Sequence, residues 1–196
     1  MLKKSLFYFW IVPFTLLISQ TPVTALPGQT TDEVGAWIRA HPTLSPDVGE
    51  RFLVQKSDTA AQRFIFQASV FPPGKVEFTK ERSIIRNERI AMYDAINGMT
   101  FERLQESLRT IYGMGIYQDF NRAQLVYQYP NQITINSDHL AQTPAREALQ
   151  GELRLGDRYA YWMEVAQPKE GKAFVGQMTV LLRTDLNKME AELRNR

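Results

Sequence analysis

Apolar residues recur along this chain at two spacings, one typical of helices and one typical of strands. The first helical segment begins at Thr30 and Glu33, which form a capping box, because the threonine oxygen accepts the third helical amide while the glutamate reaches back. Its apolar side chains fall on one face: Val34, Trp37 and Ile38. Pro42 ends the segment. The pattern predicts a short amphipathic helix that must pack against a sheet or another helix.

The clearest helical pattern covers residues 100–112. Thr100 is placed to cap the first turn, and Gly113 supplies the left-handed conformation that ends many helices. The apolar positions of this segment follow helical spacing: Phe101, Leu104, Leu108 and Ile111. The outer face, which we interpret as solvated, carries three charged residues: Arg103, Glu106 and Arg109.

Alternating apolar and polar residues predict strands in much of the remaining chain. Two strands between Phe52 and Val70 are joined by a polar turn near Asp58. Residues 81–96 fit either a helix or a strand, and the turn at Asn97-Gly98 leads us to favour the strand. Four further segments are typical of strands: residues 76–78, 116–120, 125–129 and 133–135.

The strongest strand pattern is a hairpin over residues 149–165. Its first strand places small or apolar residues on one face: Leu149, Gly151, Leu153 and Leu155. Gly156-Asp157 then fits a type II′ turn into a second strand. Another strand follows over residues 174–182, and Thr184 or Asp185 caps a terminal helix with an outward Glu190–Arg194 pair. Its inward side chains share one stripe: Leu186, Met189 and Leu193.

The order helix, strands, helix, strands, helix predicts an α+β domain. Most strands alternate in character, and their turns are too short for helical crossovers, so we expect a mainly antiparallel sheet. About three helices pack on one face of this sheet. Residues 26–196 are long enough to bury a core as a single domain.

Residues 1–25 have the pattern of a cleavable signal peptide. Lys3 and Lys4 precede an uncharged apolar run from Leu6 to Ile18, and Val23 and Ala25 are the small residues that an export peptidase reads. The mature chain then begins at Leu26 and works outside the cytoplasm, without a membrane span. The alternative is an uncleaved anchor, which the shortness of the apolar run disfavours.

Composition narrows the chemistry further. The sequence has no cysteine, so disulfides, thiol catalysis and thiolate metal sites are excluded. Outside the signal region 21 basic residues balance 21 acidic residues. A neutral chain lacks the broad positive field that binds phosphate backbones, so we expect no nucleic-acid partner.

Three short motifs contain residue types that active sites use. Ser137-Asp138-His139 lies in a long polar connection, but triads are assembled in space rather than in sequence, and we interpret it as a turn. His41 and His139 are the only histidines and lie far apart, which does not match the spacing of zinc ligands. Gly113-Met114-Gly115 lacks the third glycine of a dinucleotide loop. We therefore predict no catalytic residue, metal or cofactor.

Four segments spread over the chain carry a resemblance to known proteins: Leu26-Pro27-Gly28-Gln29, Phe66-Gln67-Ala68-Ser69-Val70-Phe71-Pro72-Pro73-Gly74, Asn97-Gly98-Met99-Thr100 and Arg158-Tyr159-Ala160-Tyr161-Trp162. On these segments the chain resembles a family of signal-bearing cyanobacterial proteins of unknown function. The resemblance implies a periplasmic or thylakoid-lumenal location. It implies no activity and no site residues.

Four tyrosines are the residues that we assign to partner binding: Tyr127, Tyr129, Tyr159 and Tyr161. If their strands are neighbours, the rings form a ladder that is apolar and hydrogen-bonding at once, a combination favoured at interfaces. We therefore expect an exported, non-catalytic binding or assembly module with a protein partner in the envelope or lumen. A carrier of a small hydrophobic ligand is the main alternative, and a cysteine-independent hydrolase is the third.

Overall fold

The computed structural model describes residues 26–75, 82–130, 149–166 and 171–196. Its α-helices are α1 (Thr31–Ala40), α2 (Phe101–Tyr112), α3 (Met114–Arg122) and α4 (Leu186–Arg194). Its strands are β1 (Leu53–Thr59), β2 (Gln62–Ser69), β3 (Asn87–Asp94), β4 (Gln124–Tyr129), β5 (Leu149–Leu155), β6 (Ala160–Ala166) and β7 (Val175–Leu181). The prediction of an α+β fold is confirmed.

All seven strands form one antiparallel sheet in the order β1-β2-β3-β7-β6-β5-β4. Strands β1 to β3 are one meander and β4 to β7 are another, and β3 and β7 join them at the centre. The strand preferred for residues 81–96 is confirmed for the part that forms β3, Asn87–Asp94. The last strands of the two meanders, β3 and β7, therefore lie next to each other inside the sheet.

The helices lie on both faces of the sheet rather than on one. Helices α1, α2 and α3 cover one face, and its core includes Phe66, Ile90 and Met178. Helix α4 covers part of the opposite face, where its apolar stripe packs on Leu153 and Leu181. The one-face expectation was wrong because β6 presents apolar side chains to both sides, Met163 toward the core under α1–α3 and Trp162 toward α4, and α4 packs on the second set.

Helix α2 fulfils the sequence prediction at its ends. Thr100 accepts the Arg103 amide at 3.3 Å, and Gly113 ends the helix with φ 77°. The start of α2 approaches β7 closely at Gly176. A Cβ at this position would collide with the Met99 side chain, so the glycine permits the approach. The Arg103 side chain is 41% exposed, as expected for the outer face, but its guanidinium also donates to the buried Asp94 at 2.8 Å.

Two sequence predictions fail between α2 and β6. Residues 116–120 lie in helix α3 rather than in a strand, because Ile116 and Phe120 are spaced to bury one helical face. The turn between β5 and β6 is not type II′, which needs a positive φ that none of its residues has. The carboxylate of Asp119 holds this turn instead by accepting the amides of Asp157 and Arg158 at 3.1 and 3.2 Å.

Helix α4 follows a single 3-10 turn, Arg183–Asp185. Asp185 stands at its N-terminus but makes no side-chain cap, because its carboxylate binds the guanidinium of Arg86. The predicted pair of Glu190 and Arg194 forms at 2.7 Å. The buried residues of the helix are those expected from the pattern: Leu186, Met189 and Leu193.

Several sequence predictions lie outside the described residues. These are the signal peptide at residues 1–25, the strands at 76–78 and 133–135, and the polar connection with Ser137-Asp138-His139. Among the helices that the structure does describe, none is both long enough and apolar enough to cross a membrane.

Candidate functional site

The sheet face that carries α4 is only partly covered within the described ranges. The apolar cluster under α4 is built from β5, β6 and the end of β7, and its largest side chain is Trp162. Strands β1, β2 and β3 contribute no buried residue to this cluster. Among the described residues, the side chains that these strands direct to this face are exposed or half-buried, except that of Asn87.

We call this uncovered region the open sheet face. It comprises alternate residues of four neighbouring strands: Leu53, Gln55, Arg63, Ile65, Gln67, Arg89, Ala91, Tyr93, Val175 and Gln177. All ten are exposed or half-buried, and Leu53 and Val175 remain 41% and 48% exposed. An ordinary solvated face of an antiparallel sheet carries mostly polar side chains, whereas half of this set is apolar.

The strand register places polar and apolar side chains in adjacent rows. One row runs from Leu53 through Gln67 to Arg89, and the Arg89 guanidinium donates to the Gln67 amide oxygen at 2.9 Å. In the last row the Arg63 guanidinium lies 5.8 Å from the centre of the Tyr93 ring. These contacts hold both arginines flat along the sheet, and each of them still has unused donors.

A hydrogen-bonded network borders the open sheet face on the side of β6. Tyr129 reaches from β4 across β5, and its hydroxyl donates to Glu164 and accepts from the Trp162 indole at 2.8 Å. This crossing depends on Gly151, since a Cβ at that position would collide with the tyrosine hydroxyl. Burial, followed by the nearby Glu164 carboxylate, raises the pKa of Tyr129 well above its usual range.

The Glu164 carboxylate is fully engaged in this network. One carboxylate oxygen accepts from the Gln177 amide at 3.0 Å, and the other, to which Tyr129 donates, forms an ion pair with the Arg196 guanidinium at 2.7 Å. The same guanidinium lies 4.9 Å from the Trp162 ring centre. The ten residues of the open sheet face include two arginines and no acid, and Glu164 at the β6 border is paired with Arg196, so these ten side chains carry a net positive charge.

The four predicted tyrosines do not form one ladder. Tyr127 and Tyr129 stack with ring centres 5.9 Å apart on the α4 side. Tyr161 lies on the opposite face, fully buried, and its hydroxyl donates to Asp119 at 2.6 Å. Burial, with Asp119 as the next contribution, raises the pKa of Tyr161. Tyr159, half-buried, precedes β6 and packs against the same core as Tyr161, so the two pairs lie on opposite faces of the sheet.

A second opening, which we call the α2 groove, lies between α2 and strands β2 and β3, on the sheet face that α1, α2 and α3 cover. It has a volume of about 630 Å³. Phe64 and Met92, a directly opposed cross-strand pair, form its floor, and Ile111 lies beside them. The charged groups on its α2 rim are largely compensated, since Arg103 binds Asp94 and Arg109 binds Glu106. The groove can accept an apolar molecule of moderate size.

Glu88 is the most unusual charged group of the core. Its side chain is completely buried under α2, and neither carboxylate oxygen has a hydrogen-bond partner within the described residues. Burial raises the pKa of Glu88 to about 8, although the Tyr112 hydroxyl facing it moderates the rise. Glu88 is therefore a neutral carboxylic acid near pH 7. No opening among those described above reaches it.

His41 has a structural position. Its Nε2–H donates to the Ile111 carbonyl at 3.0 Å, while Nδ1 accepts the Thr43 amide at 3.2 Å, so the ring joins the end of α1 to α2. The described residues contain no group of three or more acidic, histidine or cysteine side chains arranged for a metal ion. No protein-family model, curated protein or solved structure matches the chain.

Proposed function

We propose that this chain is an exported, non-catalytic binding module that recognises a protein partner through the open sheet face. The observation that carries the proposal is the composition of this face: five apolar side chains interleaved with glutamines and two arginines. Tyrosine and arginine are enriched at the energetic centres of interfaces, whereas lysine and acidic residues are depleted.

The charge of the face specifies the partner further. Arg63 and Arg89 carry positive charge without an acidic neighbour among the ten residues. A complementary protein surface presents carboxylates around an apolar centre, which gives bidentate pairing with the guanidinium groups. The expected location is the periplasm or the thylakoid lumen, as the sequence resemblance implies.

A photo-crosslinker tests this proposal in the native host. Benzoylphenylalanine replaces Tyr93 at the centre of the face and, as a control, exposed Gln118 on α3. We expect one product of defined mass from position 93 and none from position 118. The yield should fall as salt rises, because exposed charge pairs are screened.

A pair of arginine substitutions makes the test specific. The double variant Arg63→Ala with Arg89→Ala should abolish the crosslinked product. The double variant Arg39→Ala with Arg122→Ala changes the net charge by the same amount, but on helices α1 and α3, and should leave the product unchanged. Circular dichroism confirms that both variants fold. A product insensitive to the first pair, or no product from position 93, contradicts the proposal.

The α2 groove supports a second candidate function, the carrying of a small hydrophobic ligand. Its floor of Phe64 and Met92 would normally be covered by a helix, and methionine adapts to varied ligand shapes. N-phenyl-1-naphthylamine should fluoresce on binding there, and Met92→Lys should remove the signal while exposed Met114→Lys retains it. Equal fluorescence of both variants would exclude the groove as the site.

A further inference from the structure

A third opening lies on the other side of α2, toward β4 and β5, and differs in chemistry from the α2 groove. Its volume is about 430 Å³, within the range of small-molecule sites. We call it the glutamine pocket, and its principal side chains are Phe101, Gln105, Gln128, Gln150, Glu152 and Arg154. They come from three separate elements, α2, β4 and β5, so the fold assembles a site that no sequence motif contains.

The charges in this pocket compensate each other. The Arg154 guanidinium forms two parallel hydrogen bonds with Glu152, at 2.6 and 3.0 Å. The Phe120 ring lies 5.3 Å from the same guanidinium and fixes its plane. Arg154 and Glu152 are therefore a neutral, rigid pair that still offers unused donors and acceptors. An occupant of this pocket need not carry charge.

The glutamines provide the remaining polar capacity. Among the described residues no hydrogen bond engages the side-chain amides of Gln105, Gln128 or Gln150. Each amide presents two donors and one acceptor in a fixed plane, which suits a ligand whose groups both donate and accept. Gln128 and Glu152 are direct cross-strand partners, so their polar ends lie side by side.

An apolar surface completes the pocket. Phe101, half-buried at the start of α2, and Met163 on β6 line it together with the polar side chains. A saccharide combines these properties, because its hydroxyls both donate and accept hydrogen bonds while its ring presents a patch of C–H groups. We propose that the glutamine pocket binds a neutral saccharide. This site is independent of the open sheet face.

An array of neutral and acidic oligosaccharides, probed with the full chain, tests this inference. We expect binding to at least one neutral glycan, followed by calorimetry with that glycan in solution. Gln150→Leu should raise the Kd by about tenfold or more. The variant cannot replace the hydrogen bonds that the ligand gives up with water when it binds. Gln124→Leu changes the same residue type outside the pocket, at an exposed position of β4, and should leave the Kd unchanged.

The alternatives have distinct results. Binding to acidic glycans only, or to a glutamine-containing peptide in place of every glycan, overturns the saccharide assignment, as does the absence of any glycan binding. A Kd that is equal in Gln150→Leu and Gln124→Leu places the ligand elsewhere and also overturns it. Arg63→Ala with Arg89→Ala should leave glycan binding intact, which separates this test from that of the protein partner.

Discussion

Raising the pH from 5 to 8 should weaken the folded state through Glu88. The folded protein keeps this carboxyl protonated up to a pKa of about 8, whereas the unfolded chain releases the proton near 4.5. The folded state thus holds more protons across this window, and stability falls as pH rises through it. The tyrosines around Glu88, Tyr112 on α2 and Tyr159 and Tyr161 near β6, stay neutral there and supply no compensating charge.

The magnitude follows from the width of the window. Each pH unit between the two pKa values costs about 1.4 kcal/mol, so the loss between pH 5 and pH 7 is about 3 kcal/mol from this group. This is a large fraction of the stability of a typical domain, about 5–15 kcal/mol. Glu88→Gln has nearly the same shape but no titrating proton, so its stability lacks this contribution.

Urea denaturation at pH 5, 6, 7 and 8 measures the effect. The free energy of unfolding of the native chain should fall relative to Glu88→Gln by about 1.4 kcal/mol per pH unit. Glu106→Gln removes an exposed carboxylate and is the matched control, whose profile should parallel that of the native chain. Parallel profiles for the native chain and Glu88→Gln would refute a raised pKa, and a difference that grows in the opposite direction would show that Glu88 has a buried cationic partner.

Three further outcomes are expected. Leu108→Ala should lower the free energy of unfolding by about 2–5 kcal/mol because Leu108 is fully buried; in the same urea titration Arg109→Ala, on the exposed side of α2, should cost under about 0.5 kcal/mol. Gly151→Val should cost about 1–3 kcal/mol, since it displaces Tyr129, and should shift tryptophan emission as the Trp162 indole loses its partner. N-terminal sequencing of the protein from its native host should begin at Leu26; a product that retains Met1 and needs detergent would identify an anchor instead.

Helix positions were predictable wherever a cap and an apolar stripe agree. Thr30 and Glu33 form the expected capping box, with the Thr30 amide donating to Glu33 at 2.8 Å. The strand prediction for residues 116–120 was wrong because Ile116 and Phe120, four residues apart, share one face in a strand and in a helix alike. Their burial against the sheet is compatible with the helix that forms. The turn at Gly156 misled for a related reason, since the distant Asp119 determines its conformation.

The candidate site was less predictable because its parts become neighbours only in the sheet. The sequence pattern predicts Tyr129 as half of a ladder, whereas its position in the structure depends on Gly151 in the next strand and Glu164 in the one beyond. The alternation pattern does contain a signal, since a glycine within a strand marks a close approach of another group. No sequence rule, however, pairs that glycine with a tyrosine of another strand.

The state of the buried acids bears on the choice between binding and hydrolysis. The described core contains five such acids: Glu88, Asp94, Asp119, Glu164 and Asp185. Asp94 accepts the Asn97 amide at 2.9 Å, a bond that lowers the pKa of this carboxyl with further help from an arginine. Asp185 and Glu164 are each bound by an arginine, and Asp119 accepts two backbone amides and a tyrosine hydroxyl.

Glycoside hydrolysis typically uses two carboxyl groups that both reach the substrate, one as acid and one as base or nucleophile. In four of these five acids the carboxylate oxygens accept hydrogen bonds from other parts of the fold. The fifth, Glu88, is completely buried in the core. At the two proposed binding sites, unused hydrogen-bonding capacity remains instead on the arginines of the open sheet face and on the amides of the glutamine pocket. Such groups can recognise a partner without transferring a proton, as the proposed binding function requires.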